Sequence, residues 1–512
     1  MSIAPTPLPE DPATLQHLLL EAQAEITRLQ MLIAGLLRHR FGRRSEQLSD
    51  EALDQGIEDL EQSLAEQTAK IEAAQPVTRS AAPKRNRGAL PAHLPRDEVV
   101  IDVADKTCPC CGAPLHPIGE DRAEMLDHMP AQFRVQVIRR PRYGCRVCEQ
   151  AVVQAPAPER SIDGGMATEA LLAHVLVSKY ADHLPLYRQA QIFAREGVTL
   201  DRSTLCNWVG RACWWLEPLH ALILSTVLSS PKVVADDTTM PVLDPGRGRT
   251  KTGRLWCYAT DNRPWSGPGH PAAAYVYSED RKGEHPATHL KGFQGLLQVD
   301  GYAGFGQVKV TTNQPPRLAF CWAHARRKFY DVHVATKSPI AHQALQRIGA
   351  LYAIESEISG RSAEDRQQNR QQRSRPLVEA LQVWLREQLG RLSGRSKLAQ
   401  AIRYTFNHWD GLLRFLDDGR LELDTNIVER AMRPIALGRK NALFAGADSG
   451  GRHWSIIATL IQTAKLNDVE PLAWLADVLK RMVSAQTKRH ELDQLLPWNW
   501  KLLNEPQAIS SG

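Results

Sequence analysis

The chain has 512 residues, 43% of them apolar, with 63 Lys and Arg against 57 Asp and Glu and a formal net charge of +6. That apolar share excludes a disordered or fibrous chain, and the length predicts three or four units around a catalytic domain of ordinary size. The basic excess favours an anionic partner, while the lack of a secretory signal or of about 18 uninterrupted apolar residues predicts a cytoplasmic protein with no membrane partner.

Residues 1–75 are read as a helical dimerisation region. Leu15, Leu19, Ala22, Ile26, Leu29, Ile33 and Leu36 recur in alternating steps of four and three, the seam of a coiled coil, with β-branched and Leu positions alternating as in a parallel dimer. This predicts a homo-oligomer; the alternative is an amphipathic helix packed on its own protein. A second, acidic helix is expected from Asp50 to Ala74. Residues 76–104 then read as an extended basic linker, rich in Pro, Arg and Lys, suited to lying along phosphates.

A zinc ribbon-like module is expected over 105–150. Cys108 and Cys111 form one Cys-x-x-Cys knuckle and Cys145 and Cys148 another, which together supply four thiolates to a structural Zn²⁺. Cys110 competes with its neighbours for one corner. A closed four-thiolate site leaves no position for substrate, so its role is fold or DNA contact.

Residues 151–230 read as helical. A helix, a turn at Gly197, a cap at Asp201 or Ser203 and a second helix bearing Arg202, Asn207 and Arg211 resemble a DNA-binding helix-turn-helix, although many helical hairpins share that pattern and bind nothing. Basic clusters at Arg38–Arg44, Lys84–Arg87, Arg139–Arg142 and Arg326–Lys328 are each a solvated face when taken singly, and together favour nucleic acid.

From Pro231 the texture becomes strand-like. Three consecutive strands, a short helical crossover, a fourth buried strand and a fifth running into a helix give the element order of a ribonuclease H-like fold. The catalytic domain is expected over 231–335, is interrupted by a helical insertion over 336–424, and resumes over 425–448. Fold alone does not give function. Asp236 and Asp300, however, each end an apolar run (PKVVAD and GLLQVD), where a carboxylate emerging from a buried strand needs a reason. On neighbouring strands the two acids repel one another unless divalent cations lie between them, and hard oxygen ligands suit two Mg²⁺ or Mn²⁺ ions. Glu429 is the expected third ligand, on a helix capped by Asp424 or Thr425 and sharing a face with Asn426 and Arg433. Pro434 is expected to break that helix, leaving Arg439 and Lys440 in a loop suited to phosphate contact. His324 is read either as an orienting group near the site or as a buried, satisfied His, and Trp256 and Trp322 as core. The polar stretch RSAEDRQQNRQQRSR in the insertion is read as scaffolding or as a DNA or partner contact, and 449–512 as a C-terminal helical element.

The segments VVADDTTMPVLDPGRGRTKTGRLWCY, LLQVDGYAGF, FCWAHARRKF, DTNIVERAMRPIALGRKN and LIQTAKLNDVEPLAWLADVL, in that order, resemble the transposases of the insertion sequence sixty-six family over nearly the whole chain. The resemblance implies a multidomain α+β protein with a DDE catalytic domain and Asp236, Asp300 and Glu429 as ligands to Mg²⁺. It also implies element-end and target double-stranded DNA as substrate, and accessory proteins encoded by the same element. The family pattern Asp-Glu-Thr stands here as Asp236-Asp237-Thr238, which favours Asp236 and leaves its neighbour as a competitor. Two other classes fit parts of the pattern: a metal-dependent nuclease without strand transfer, and a DNA-binding regulator with an inactive catalytic fold.

Overall fold

The computed structural model describes Ile26 and residues 62–67, 70, 90–92, 94–129, 132–147, 149–244, 249–309 and 315–504. The coiled-coil seam, apart from Ile26, and the clusters at Arg38–Arg44 and Lys84–Arg87 lie outside these residues. Among the described residues no helix is long and apolar enough to cross a membrane.

Two mixed sheets and many helices make up the described chain. In the first sheet β2 (His116–Met129) and β3 (Gln132–Gly144) form a long antiparallel hairpin, with β1 (Arg96–Val100) parallel to β3 and β4 (Val152–Gln154) antiparallel to it. Residues 96–100, expected within an extended linker, pair as a strand and complete a sheet, because β3 offers a free edge whose backbone groups need partners. The basic cluster at Arg139–Arg142 is neutralised within this sheet. Arg139 pairs with Glu98 and Glu120, and both Arg140 and Arg142 pair with Asp121.

Helices α1 (Glu169–Tyr180), α2 (Leu186–Arg195) and α3 (Arg202–Leu228) follow. Gly197 turns the chain between α2 and α3 at φ +82°, a conformation that favours glycine. At 27 residues, α3 is far longer than a groove-reading helix needs, and its apolar face joins the main core. A short helical piece at 62–67 lies against it. A Cβ at Gly210 would come within 2.0 Å of the Gln62 carbonyl oxygen, and Glu66 accepts a 2.7 Å bond from buried His453.

The second sheet has the order β7-β6-β5-β8-β9. Strands β5 (Lys232–Asp244), β6 (Arg249–Thr260) and β7 (Ala272–Ser278) run antiparallel, whereas β8 (Leu296–Val299) and β9 (Arg317–Phe320) are parallel to β5. Helix α4 (Glu284–His289) makes the crossover from β7 to β8, as the sequence leads one to expect. Edge strand β7 is covered by α12 (Asp448–Leu466), whose Thr459 and Thr463 hydroxyls accept from the backbone of Tyr275 and Ala273. Those side chains replace the missing neighbouring strand and close an aggregation-prone edge. Helices α13 (Pro471–Val483) and α14 (Pro497–Asn504) end the described chain.

After β9 come α5 (Trp322–Thr336), α6 (Pro339–Ile358), α7 (Ala363–Asn369), a π-helical turn at Arg370–Ser374, and α8 (Arg375–Gly390), α9 (Lys397–Asn407) and α10 (Trp409–Asp417). They enclose a second core containing Trp322, Phe329, Ile348, Leu385 and Leu412. The polar stretch of this insertion turns partly inward: Arg366 and Arg370 are buried and paired with Glu355, and Arg366 also with Glu422. Helix α11 (Asn426–Gly438) then returns to the sheet. It passes through Pro434, where a break was expected. A proline nine residues into the helix removes one hydrogen bond and distorts a turn, and packing of Ile435 and Met432 into the main core holds the helix together regardless.

Buried Lys232 fastens the insertion's return to the sheet by donating to the carbonyl oxygens of Arg420 (3.0 Å) and Asp261 (3.3 Å). Burial pushes its ammonium down to about 8. Below pH 8 both folded and unfolded chains hold the proton, and the folded state carries the full desolvation penalty. Between pH 8 and the ordinary lysine value only the unfolded chain keeps it, so stability gained from this group rises with pH by about 3 kcal/mol. The stability of Lys232→Met relative to the native chain is therefore expected to fall as pH goes from 7.5 to 10.5. A gap between their melting temperatures that is independent of pH would rule this out.

Candidate active site and metal centre

Asp236 lies in the middle of β5, where pairing with Cys257 of β6 places it, and Asp300 follows the last residue of β8 directly. Since β5 and β8 are adjacent and parallel, the two carboxylates emerge side by side. Burial, and then the Asp300 carboxylate, push the Asp236 carboxyl up to about 7, while the Asp237 backbone N–H and His324 act in the opposite direction. Burial beside a second acid raises the cost of ionising Asp236, and a nearby positive charge would lower it.

Adjacent residues of a strand face opposite sides of its sheet, and Asp237 faces away from that pair. Its fully buried carboxylate accepts from Arg254 (3.0 Å) and from Arg281 (2.8 and 3.0 Å). Asp237 is thus already neutralised by two guanidinium groups, and Asp236 is not.

The Asp300 turn is held from two sides. Tyr302 donates its backbone N–H to the Asp300 carboxylate (2.8 Å), and Tyr404 of α9 donates its hydroxyl to the Asp300 carbonyl (3.0 Å). Gly301 adopts φ +100°, and a Cβ there would lie 2.8 Å from the His408 ring. The insertion therefore packs directly on the turn that carries the second acid.

Glu429 stands in the first turn of α11, exposed, with Thr425 Oγ1 3.5 Å from its Oε1. Thr425 is the N-cap residue, although its side chain makes no capping bond. Asp424 instead accepts from the backbone and side-chain amides of Asn426. Among the described residues the close potential ligand groups are Cys321, His324 and Glu429, and Cys108, Cys111 and Cys145, each set within 4.8 Å. Asp236 and Asp300 belong to neither set. His324 links the two parts of the site, meeting Glu429 on one side and acting on the charge of Asp236 on the other. Sequence reasoning singled out His324 without its partner Cys321, although the Cys-x-x-His spacing was there to be read. The roles of Arg254, Arg281 and Tyr404 depend on long-range packing and left no local signal.

Of the residues read as DNA-binding, Arg433 and Lys440 are exposed. Arg439 is anchored to β5 through Thr239, whose carbonyl it meets at 2.8 Å. Arg202 and Asn207 are half-buried near the start of α3, and Arg211 is buried. Arg211 is thus kept from the solvent face on which a groove reader must stand. Trp256 and Trp322 are core residues, fully buried, with their indole N–H groups donated to Ser278 Oγ and the Leu412 carbonyl.

The cysteine module is built on two tight turns. Gly112, at φ +70°, donates to the Cys108 carbonyl, and Glu149, at φ 55°, to that of Cys145. Cys111 and Cys145 Sγ lie 3.6 Å apart, near the edge of about 3.8 Å expected when zinc–sulfur bonds are about 2.3 Å long. Exposed Cys110 is outside the cluster, and Cys148 lies outside the described residues. The donor set therefore fits a structural metal ion.

Comparison with known proteins adds a separate line. Residues 164–453 match the family described as "Transposase IS66 family", residues 105–149 the "zinc-finger binding domain of transposase IS66" and residues 459–498 the "IS66 C-terminal element". Residues 28–99 match "Transposase C of IS166 homeodomain". The chain is 48% identical to the uncharacterized protein y4jD of Sinorhizobium fredii, with 99% of this chain and 100% of that protein covered. It is 43% identical to the uncharacterized protein y4qI of the same organism, with 95% and 91% covered.

Two outcomes follow from the geometry. Cys145→Ser is expected to release one equivalent of zinc from the purified chain while Cys110→Ser retains it, as metal analysis would read; equal loss in both would reject the ligand set. Asp237→Asn leaves Arg254 and Arg281 facing one another without their carboxylate. Because both arginines keep some solvent, destabilisation near the lower end of roughly 3–5 kcal/mol is expected in denaturant unfolding.

Proposed function

Because this chain belongs to the IS66 transposase family, we propose that it binds the ends of an insertion element and catalyses phosphodiester hydrolysis and strand transfer at a two-metal, DDE-type site. Asp236, Asp300 and Glu429 are the ligands in this reading. The observation that carries it is the side-by-side placement of Asp236 and Asp300 at the parallel β5–β8 pair, with the Asp236 carboxyl pushed up to about 7 by burial and by Asp300. The sheet, with three antiparallel strands followed by two parallel ones in the order β7-β6-β5-β8-β9, supports a ribonuclease H-like catalytic core spanning 231–335 and 425–448, interrupted by the helical insertion at 336–424.

Two acids in this setting fit divalent cations bound by hard oxygen ligands, Mg²⁺ or Mn²⁺. When bound, such ions activate a water or 3′-hydroxyl and stabilise the leaving oxygen of an in-line displacement. The protein's own part is positional. Asp300 is fixed by Tyr302 and Tyr404, Asp236 by its strand, and Glu429 approaches from α11 with Thr425 behind it. Arg281, stacked 4.1 Å over the Tyr302 ring and fixed by Asp237, brings positive charge to the same end of the sheet, where phosphates would lie.

DNA is held in this reading by exposed Arg433 and Lys440 beside the glutamate helix, with Arg439 nearer the sheet and Arg202 and Asn207 at the start of α3. The cysteine module at 105–150 and the helices of 151–230 supply further contacts. Self-association through the N-terminal region pairs two active sites for two element ends, and accessory proteins of the same element complete the assembly.

The reading is tested with a labelled element-end duplex in Mg²⁺. Changes to groups that only orient metal ligands often lower activity 10–100-fold, so Asp236→Asn, Asp300→Asn and Glu429→Gln are each expected to reduce cleavage and joining by more than about 100-fold. DNA affinity should be largely retained. Full activity in any one variant would remove that residue from the ligand set.

A further inference from the structure

We propose that Cys321, His324 and Glu429 form a second site for a zinc-class ion, distinct from the cysteine module, and that filling it inhibits the reaction by withdrawing Glu429. The first half stands on the ligands alone; the inhibitory half rests on the reading of Glu429 as the third carboxylate.

The three residues come from two elements that the chain brings together late. Cys321 is the N-cap residue of α5 and is buried, and His324 lies one turn further along the same helix. Glu429 comes from the first turn of α11. One ligand atom of each lies within 4.8 Å of the other two. Bonds of about 2.0–2.3 Å to nitrogen, oxygen and sulfur put tetrahedral ligands roughly 3.3–3.8 Å apart, so side-chain adjustments on the order of 1 Å close the site. Glu429 is exposed, His324 half-buried and Cys321 buried.

A second observation points the same way. His324 Nδ1 is buried without a hydrogen-bond partner, an arrangement that costs roughly 1–3 kcal/mol when nothing answers the buried nitrogen. A cation bound at Nδ1 would relieve it. Thiolate and imidazole ligands select a borderline-soft ion such as Zn²⁺ over Mg²⁺, whereas Asp236 and Asp300 offer oxygen alone. On binding, the Cys321 thiol proton passes to solvent. Thiolate, carboxylate, neutral imidazole and Zn²⁺ then sum to no net charge, which suits a site whose inner corner is buried.

Thr425 is the positioning residue. Fully buried, it approaches Glu429 Oε1 at 3.5 Å and bonds the Cys321 side chain, so it spaces the carboxylate from the thiol. Since Glu429 cannot serve both ions at full strength, zinc competes with the Mg²⁺-dependent reaction.

The test counts zinc on the full chain after dialysis against a weak chelator. Cys321→Ser and His324→Ala are each expected to hold one zinc fewer than the native chain. Cys145→Ser should lose a different one, so that the Cys145→Ser/His324→Ala double variant loses both. His324, half-buried where Cys321 is buried, is the substitution less able to disturb folding. Unchanged zinc content in both Cys321→Ser and His324→Ala would overturn the site. In the cleavage assay with Mg²⁺, Zn²⁺ should inhibit the native chain. Its half-inhibitory concentration should rise at least about tenfold in His324→Ala, each protein being referred to its own zinc-free rate, as expected when one ligand is removed. Loss of one zinc with unaltered zinc sensitivity would leave the metal site standing and overturn its link to the reaction.

Discussion

The side-chain amide of Gln298, fully buried in β8, donates to the carbonyl oxygens of Glu422 (2.7 Å) and Asp424 (3.3 Å). Two residues later the same strand delivers Asp300. From β5 the Lys232 ammonium reaches the Arg420 carbonyl, and from the start of α5 the Trp322 N–H reaches that of Leu423 (2.8 Å). These bonds bind an irregular segment, 420–424, to the sheet along its length. A carbonyl buried there without a partner would cost roughly 1–3 kcal/mol. Where α11 begins, and therefore where Glu429 stands relative to the strands bearing Asp236 and Asp300, is set by this attachment.

The insertion between β9 and α11 follows from the same requirement. Residues that leave the sheet at Phe320 must return to it at Arg420, and the six intervening helices close over a core of their own. Inside that core Arg366 and Arg370 converge on Glu355, and both guanidinium groups donate to the Leu421 carbonyl. A buried charged network of this kind adds little net stability over an apolar core of the same shape. Its geometry is directional, however, and its last acceptor is the segment that positions Glu429. Tyr404 and His408 reach the Asp300–Gly301 turn from another helix of the insertion. Both flanks of the candidate site are thus braced by the same unit, which makes scaffolding the fuller account of its arginines than an outward, phosphate-facing role.

What was legible in the sequence was what depends on short range. Apolar runs ending in Asp marked β5 and β8, because a strand buried on both faces leaves no other reading of PKVVAD and GLLQVD. The cysteine pairs marked the metal module for the same reason, since thiolate spacing in tight turns is a local property. The misreadings share the opposite cause. Arg139–Arg142 looked like a basic patch until β2 laid Glu120 and Asp121 beside it, and Arg211 looked like a groove reader until the apolar length of α3 drew it inside. Pro434 looked like a helix stop because propensity was weighed without the core contacts that hold α11 on either side of it. Linker residues 96–100 became a strand only because β3 offered them an edge. In each case a partner distant in sequence decided the outcome.

Alternation along β5 carries the argument furthest. Asp236 and Asp237 are adjacent, identical in type and each buried at 9% exposure, and a one-residue slip of register would exchange their environments. The antiparallel pairing of β5 with β6 fixes the register over eleven residue pairs, from Val234–Ala259 to Asp244–Arg249. With that register Asp237 falls opposite Trp256, toward Arg254 and Arg281, and Asp236 falls opposite Cys257, toward Asp300. One acid is then satisfied by the protein itself, while the other is left with a like charge, a buried setting and a carboxyl pushed up to about 7. A fold that neutralises one of two neighbouring acids with two arginines and leaves the other against a second carboxylate retains a local penalty that a sequence change would readily remove. In the proposed reading a divalent cation, suited to the oxygen donors on that face, would supply the missing positive charge.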